Sequence, residues 1–165
     1  MVKIDTLLSE GKISYIKEEE LERYINFFEN SFKDNLGHSK FNSETFPRWS
    51  IISGYYAMHD LTKMLLAKKF RIKVDFEVHA TTIKLLRELI KNRELDILLT
   101  KAYKEFLSLA NDLEEAKKER TKTQYYTGSR FLKEIYMKKA KDFSEKIVLG
   151  YISKINRLFG ENGDL

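Results

Sequence analysis

The stretch Pro47-Arg48-Trp49-Ser50-Ile51-Ile52-Ser53-Gly54-Tyr55-Tyr56-Ala57-Met58-His59-Asp60-Leu61-Thr62-Lys63-Met64-Leu65-Leu66-Ala67-Lys68-Lys69-Phe70-Arg71 decides the fold. Pro47 suits a first helical position, where its missing N–H costs nothing, and Thr45 or Glu44 stands nearby for capping. Ile51, Ile52, Tyr55, Tyr56, Met58, Leu61, Met64 and Leu65 then recur at helical spacing and cover a broad surface. A helix apolar over so wide an arc has neighbours on most sides, so it is the expected centre of a helical bundle. Tyr55, Tyr56 and Met58 read as core of that helix.

The flanking sequence agrees. Upstream, Leu21, Tyr24, Ile25, Phe28 and Phe32 predict a helix over about 17–33, opened by Glu18, Glu19 and Glu20. Residues 34–46 are polar, contain Gly37, and read as a loop. Residues 1–16 read as a polar lead that Leu7, Leu8 and Ile13 clip to the body. Downstream, 70–75 reads as a short break, and Val78, Ile83, Leu86, Leu89 and Ile90 predict a third helix. A turn falls near Asn92, and a fourth helix carries Leu95, Leu98, Leu99, Ala102, Phe106, Leu109, Leu113 and Ala116. Residues 121–129 read as a loop, and a long fifth helix runs from Leu132 to Leu158 before a frayed polar tail over 160–165. The expectation is an all-α fold: a single up-and-down bundle of about five helices forming one domain over 1–165.

Composition supports that class and excludes others. The 165 residues are 42% hydrophobic and 33% charged, too apolar for a disordered chain. One proline and seven glycines leave little punctuation for an all-β fold with many turns. Cysteine is absent, which removes disulfides, thiolate metal sites and thiol nucleophiles. His38 and His59 are far apart in sequence, no metal-ligand spacing occurs, and no glycine-rich phosphate loop or serine-nucleophile motif is present. No metal or cofactor is therefore expected. No apolar run approaches the ~20 residues of a membrane span, and no signal peptide is visible, so the expected compartment is the cytoplasm.

Charge is unevenly distributed. The chain carries 30 basic and 25 acidic residues, a net of +5. Between positions 117 and 141 nine basic residues meet only Glu119 and Glu134, a local net of +7. Five more basic residues and no acid lie between 63 and 73. If successive helices alternate direction, the second and fourth end at one pole, which places the 70–75 break beside the 121–129 loop. A positive pole of that kind concentrates phosphates, whether of RNA, DNA or nucleotides. The plainer reading is that helix C-termini favour Lys and Arg through the dipole.

Three positions stand out near that pole. Arg120 continues the stripe Leu109, Leu113, Ala116. It either binds phosphate bidentately in a cleft or snorkels off the helix end. Tyr125 and Tyr126 follow among basic residues, and either stack on bases or fold back over the bundle. His79, near the start of the third helix, is either a general acid or base or phosphate contact at the same pole, or a hydrogen-bonded structural histidine.

Taken in order, several segments resemble HEPN domains. Trp49 to His59, with its Tyr-Tyr-Ala-Met run, is similar to the family's central-helix signature. Leu65-Leu66-Ala67-Lys68-Lys69-Phe70-Arg71 looks like its leucine-rich helix end and basic turn. His79 matches a histidine that often opens the next helix, and Arg120-Thr121-Lys122-Thr123-Gln124-Tyr125 looks like the Arg-x-Lys-x-x-Tyr form of its late motif. The resemblance spans roughly Leu7 to Leu158. It implies a four- to five-helix bundle that commonly dimerises. It also implies a metal-independent ribonuclease lineage found in toxin–antitoxin and defence systems, often beside a small nucleotidyltransferase.

In that family an Arg holds the scissile phosphate, and a His four to six residues later assists attack by the ribose 2′-hydroxyl. Here the positions after Arg120 hold Tyr125, Tyr126 and Thr127, with no histidine. A phenol of pKa about 10 is a poor base at neutral pH. The expected function is thus RNA or nucleotide-phosphate binding, with ribonuclease activity weak or lost. Arg120 binds phosphate, Lys122, Arg130 and Arg71 steer it, Tyr125 and Tyr126 contact sugar or base, and His79 is the candidate substitute imidazole. The alternatives are a non-enzymatic partner module of a small nucleotidyltransferase, with Tyr125 and Tyr126 as modification sites, and a scaffold in which Arg120 is structural.

Overall fold

The computed structural model describes residues 4–120 and 130–160, with side chains over 4–109 and 134–160. The fold is an all-α helical bundle, and helix α3 (Pro47–Phe70) runs through its middle with Ile51, Tyr55, Met58, Leu61 and Leu65 almost wholly buried. Each such side chain contributes ~1.5–3 kcal/mol of hydrophobic stabilisation. Several polar residues of this helix are buried as well: Ser50, Ser53, His59, Asp60 and Thr62.

Helix α2 (Glu18–Phe41) packs antiparallel to α3. Their pairing reads off side by side: Lys63 Nζ lies 4.2 Å from the Phe28 ring centroid, Ser31 donates to Asp60 at 2.7 Å, and His38 lies 3.1 Å from Ser53 Oγ. The helix extends well past the predicted end at 33, and only 42–46 remains as connection. The polarity that made 34–46 resemble a loop serves the crossing instead. Ser39 Oγ donates to the Ser50 carbonyl at 2.8 Å, and Ser50 Oγ returns the bond to the Ser39 carbonyl at 2.6 Å. Small residues allow this approach, and Gly54 more than any: a Cβ there would stand 3.0 Å from Ser39 Oγ, Phe143 Cε1 and Val148 Cγ2.

The lead segment is more ordered than a clip. It forms α1 (Ile4–Ser9) and strand β1 (Ile13–Tyr15), which pairs antiparallel with β2 (Ile72–Val74), Ser14 opposite Lys73. Ile13, Ile72 and Val74 turn inward onto Leu7, Leu66 and Leu85, a second small core. Leu7 and Ile13 are thus buried as expected, and Leu8 packs against the same cluster.

The ribbon also resets the direction of the chain. Arg71 ends α3 in the left-handed region (φ 54°), with its N–H donated to the Ala67 carbonyl. The chain then runs back beside α3 in extended form, so α4 (Val78–Leu85) starts near Tyr55 and ends near Leu66. It therefore runs parallel to α3 and passes into a π turn over Leu86–Ile90. Asn92 Oδ1 accepts the N–H groups of Glu94 and Leu95, both at 3.1 Å, and so caps α5 (Arg93–Arg120). Helix α5 returns antiparallel to α3, placing Tyr103 and Phe106 against Tyr55.

The predicted fifth helix is α6 (Arg130–Phe143) and α7 (Leu149–Gly160), joined by a π turn over Ser144–Val148. It runs alongside α3 in the same direction. Arg48 lies over Tyr136 at 5.1 Å, Gly54 abuts Phe143 and Val148, Thr62 bonds Tyr151, and Lys68 lies 5.2 Å from the Phe159 ring. Residues 161–165, the expected tail, lie outside the described residues. No helix among the described residues is long and apolar enough to cross a membrane.

This topology overturns the single positive pole. Because the chain returns along α3 before α4 begins, α3 and α5 end at opposite ends of the bundle. Arg71 and the basic run 63–73 stand at one end, while Arg120 and Arg130 stand at the other, beside the start of α3.

Candidate functional site

The end that holds the start of α3 also holds the end of α5 and the start of α6. Helices α5 and α6–α7 are antiparallel neighbours: Lys139 pairs with Glu105 at 2.7 Å, and Lys154 pairs with Glu94. Arg120 and Arg130 are therefore brought to one end by their helices. Their side chains lie outside the described set, as do Lys122, Tyr125 and Tyr126 altogether.

Two grooves open on α6 below this end. One, of about 420 Å³, lies between α5 and α6 and is lined by Lys101, Glu105, Ile135, Lys138 and Asp142 among others. The second, of about 490 Å³, lies between α6 and the α2–α3 connection, with Lys40, Ser43 and Glu44 on one side and Lys138 and Lys141 on the other. Their charge balance is asymmetric. Glu105 is engaged by Lys139, and Asp142 by Lys146 at 2.6 Å, the contact that holds the Asp142 carboxyl below its usual range. Lys40, Lys101, Lys138 and Lys141 make no ion pair among the described residues. Ammonium groups that make no direct ion pair attract anions at low cost in desolvation.

His79 is elsewhere. Its Nδ1 lies 2.7 Å from Tyr55 Oη, and its ring stacks on Tyr103 with centroids 5.6 Å apart. Tyr103 and Phe106 are separated from Arg120 by at least 14 residues of α5, about 21 Å at 1.5 Å per residue. The expectation that His79 shares a pole with Arg120 is thus corrected, for the same topological reason. Burial raises the Tyr55 phenol above its ordinary range, so it keeps its proton beside His79. Burial, then His59 and Lys63, lower the His79 pKa, which favours the neutral imidazole. His79 Nδ1 thus faces the Tyr55 hydroxyl inside an aromatic cluster.

Arg71 forms an exposed ion pair with Glu18 at the far end, next to Lys73 and Glu20 at 3.7 Å. It does not join Arg120 in a site.

Sequence reasoning missed the company His79 keeps. His59 is 3% exposed with neither ring nitrogen hydrogen-bonded, and its centroid lies 4.9 Å from that of His79. Asp60 beside it accepts bonds from Ser31 and Asn35. The available signal was the i, i+4 relation of Tyr55 and His59 on the most buried helix. Among the described residues no group of three or more His, Asp or Glu is placed to hold a metal ion.

Comparisons with family models, with curated proteins and with solved structures return no match to this chain.

Proposed function

We propose that the chain is an HEPN-like helical domain that binds the phosphates of RNA or nucleotides at the end where α5 gives way to α6. The observation that carries this reading is the charge of that region: a net of +7 across 117–141, with its two flanking helices converging on one end. Arg120 grips phosphate, Lys122 and Arg130 steer it, and Tyr125 and Tyr126 meet sugar or base. The lysines of α6 extend the positive surface along the bundle. Arg71 and His79 have no part in it.

Cleavage is not included. No imidazole follows Arg120 within its motif, and the substitute considered, His79, lies beside Tyr55 rather than at this end. Binding is tested by fluorescence anisotropy with a labelled single-stranded RNA. Engagement of roughly four phosphates implies an affinity loss of about 50-fold between 50 and 200 mM salt. Arg120→Ala and Lys122→Ala weaken binding and flatten that slope. Binding that ignores salt, or none at all, removes the reading.

A further inference from the structure

We propose that the groove between α5 and α6 is a docking surface for an acidic amphipathic helix of a protein partner. The inference stands apart from the phosphate reading, which concerns the end of the bundle.

The groove, of about 420 Å³, is walled by two antiparallel helices. On its α6 side the lining residues run from Ile135 to Ile147, a span of about 18 Å at 1.5 Å per residue. That length suits three turns of a third helix laid between the two walls, the way an amphipathic helix fills a furrow. Its apolar lining includes Ile135, which is 46% exposed, an aliphatic side chain left in water, and the buried Phe143 and Ile147. Lys146 and Ile147 belong to the π turn over Ser144–Val148, and single π turns within helices are frequent at functional sites.

Charge selects the occupant. Within the groove Glu105 is engaged by Lys139, and Asp142 by Lys146. Lys101 on the α5 wall and Lys138 on the α6 wall make no ion pair among the described residues. A helix with an apolar stripe between two acidic flanks matches this pattern. The stripe covers Ile135, and one flank meets the ammonium group of each wall. Nucleic acid matches it less well. Phe143, the one ring among the lining residues, is 3% exposed and offers no face to a base.

The probe is a synthetic, helix-stabilised, fluorescein-labelled peptide of about twelve residues, with leucines at helical spacing and glutamates on both flanks. It is titrated against the full chain by anisotropy. The peptide is expected to bind. Ile135→Ser and the double variant Lys101→Glu/Lys138→Glu, all at exposed positions, each weaken it about tenfold. A lysine-flanked peptide is expected to prefer the double variant to the parent, a swap of preference that a misfolded variant does not produce. Failure of the glutamate-flanked peptide to bind the parent overturns the docking surface. Equal binding by a peptide of the same composition with its leucine stripe scrambled overturns the role of the apolar lining. Equal binding by a glutamine-flanked peptide overturns the acidic partner. Self-association of the free protein that Ile135→Ser abolishes gives the groove to a second copy. Oligouridylate binding that is lost in Ile135→Ser gives it to nucleic acid, and either result overturns the proposal.

Discussion

Tyr55 Oη and His79 Nδ1 lie 2.7 Å apart across the space between α3 and α4, which joins the most buried helix to a segment that reaches it only after a strand. The contact marks the level on α3 at which α4 starts.

Removing that hydroxyl tests its weight. Tyr55→Phe leaves the ring stack intact and strands His79 Nδ1, at an expected cost of about 1–3 kcal/mol. Chemical denaturation checks it, and an unchanged midpoint would show that the pair is incidental.

The same histidine predicts a pH dependence. Tyr55, Tyr56, Tyr103, His59, Lys63 and Asp60 surround or act on it, and the balance lowers its pKa below 6.5 in the fold. Below pH 6.5 the unfolded chain then binds more protons at this site than the folded one, so its share of stability is present above 6.5 and is lost as pH falls. Thermal midpoints measured from pH 7.5 to 5.5 are expected to fall, and to fall less steeply in His79→Asn. An equal slope in both proteins would place the titration elsewhere.

Two glycines in neighbouring helices are expected to respond in opposite senses. At Gly54 a methyl would meet Phe143, Ser39 and Val148 at 3.0 Å, so Gly54→Ala overpacks the crossing and costs about 1–3 kcal/mol. At Gly37, within α2, a methyl meets nothing within 4 Å, and Gly37→Ala stabilises by about 0.5–1 kcal/mol through helix propensity. Melting curves of both variants check the pair, and a stabilising Gly54→Ala would refute the close approach of α2 and α6 to α3.

What was legible in the sequence followed from local chemistry. Pro47 opens α3, a turn falls at Asn92, and most apolar residues of 51–65 are buried because their spacing lines up on one helix with neighbours all round. What was illegible depended on partners distant in sequence. Ser39 and Ser50 look like loop residues until each is seen bonding the other's carbonyl. The stretch after Arg71 looks like a turn, because a three-residue strand is recognisable only beside Ile13–Tyr15. That one element reversed the helix parity, and with it the expected meeting of Arg71, His79 and Arg120. The part of the site that needs no parity, the basic run about Arg120 and Arg130, depends only on two helices that adjoin in sequence.

The cap of α5 can be weighed on its own. Asn92→Ala removes the acceptor for the Glu94 and Leu95 N–H groups, with an expected loss of about 1 kcal/mol, whereas Asn92→Asp keeps it. Denaturation of the two variants separates capping from any other effect of position 92, since only the alanine is expected to shift the midpoint.

The opposite placement of Arg71 and Arg120 yields the sharpest binding test. Arg71 shares its charge with Glu18 in an exposed pair worth at most about 1 kcal/mol, so Arg71→Ala should leave the fold nearly as stable. Were the two arginines in one cleft, both alanine variants would weaken RNA binding and reduce its salt slope together. With the length of the bundle between them, Arg120→Ala is expected to weaken binding severalfold while Arg71→Ala stays within error of the parent. Anisotropy titrations of both variants at two salt concentrations decide it. Equal losses would mean that the ligand spans the whole molecule, and a loss confined to Arg71→Ala would move the binding end to the β-ribbon.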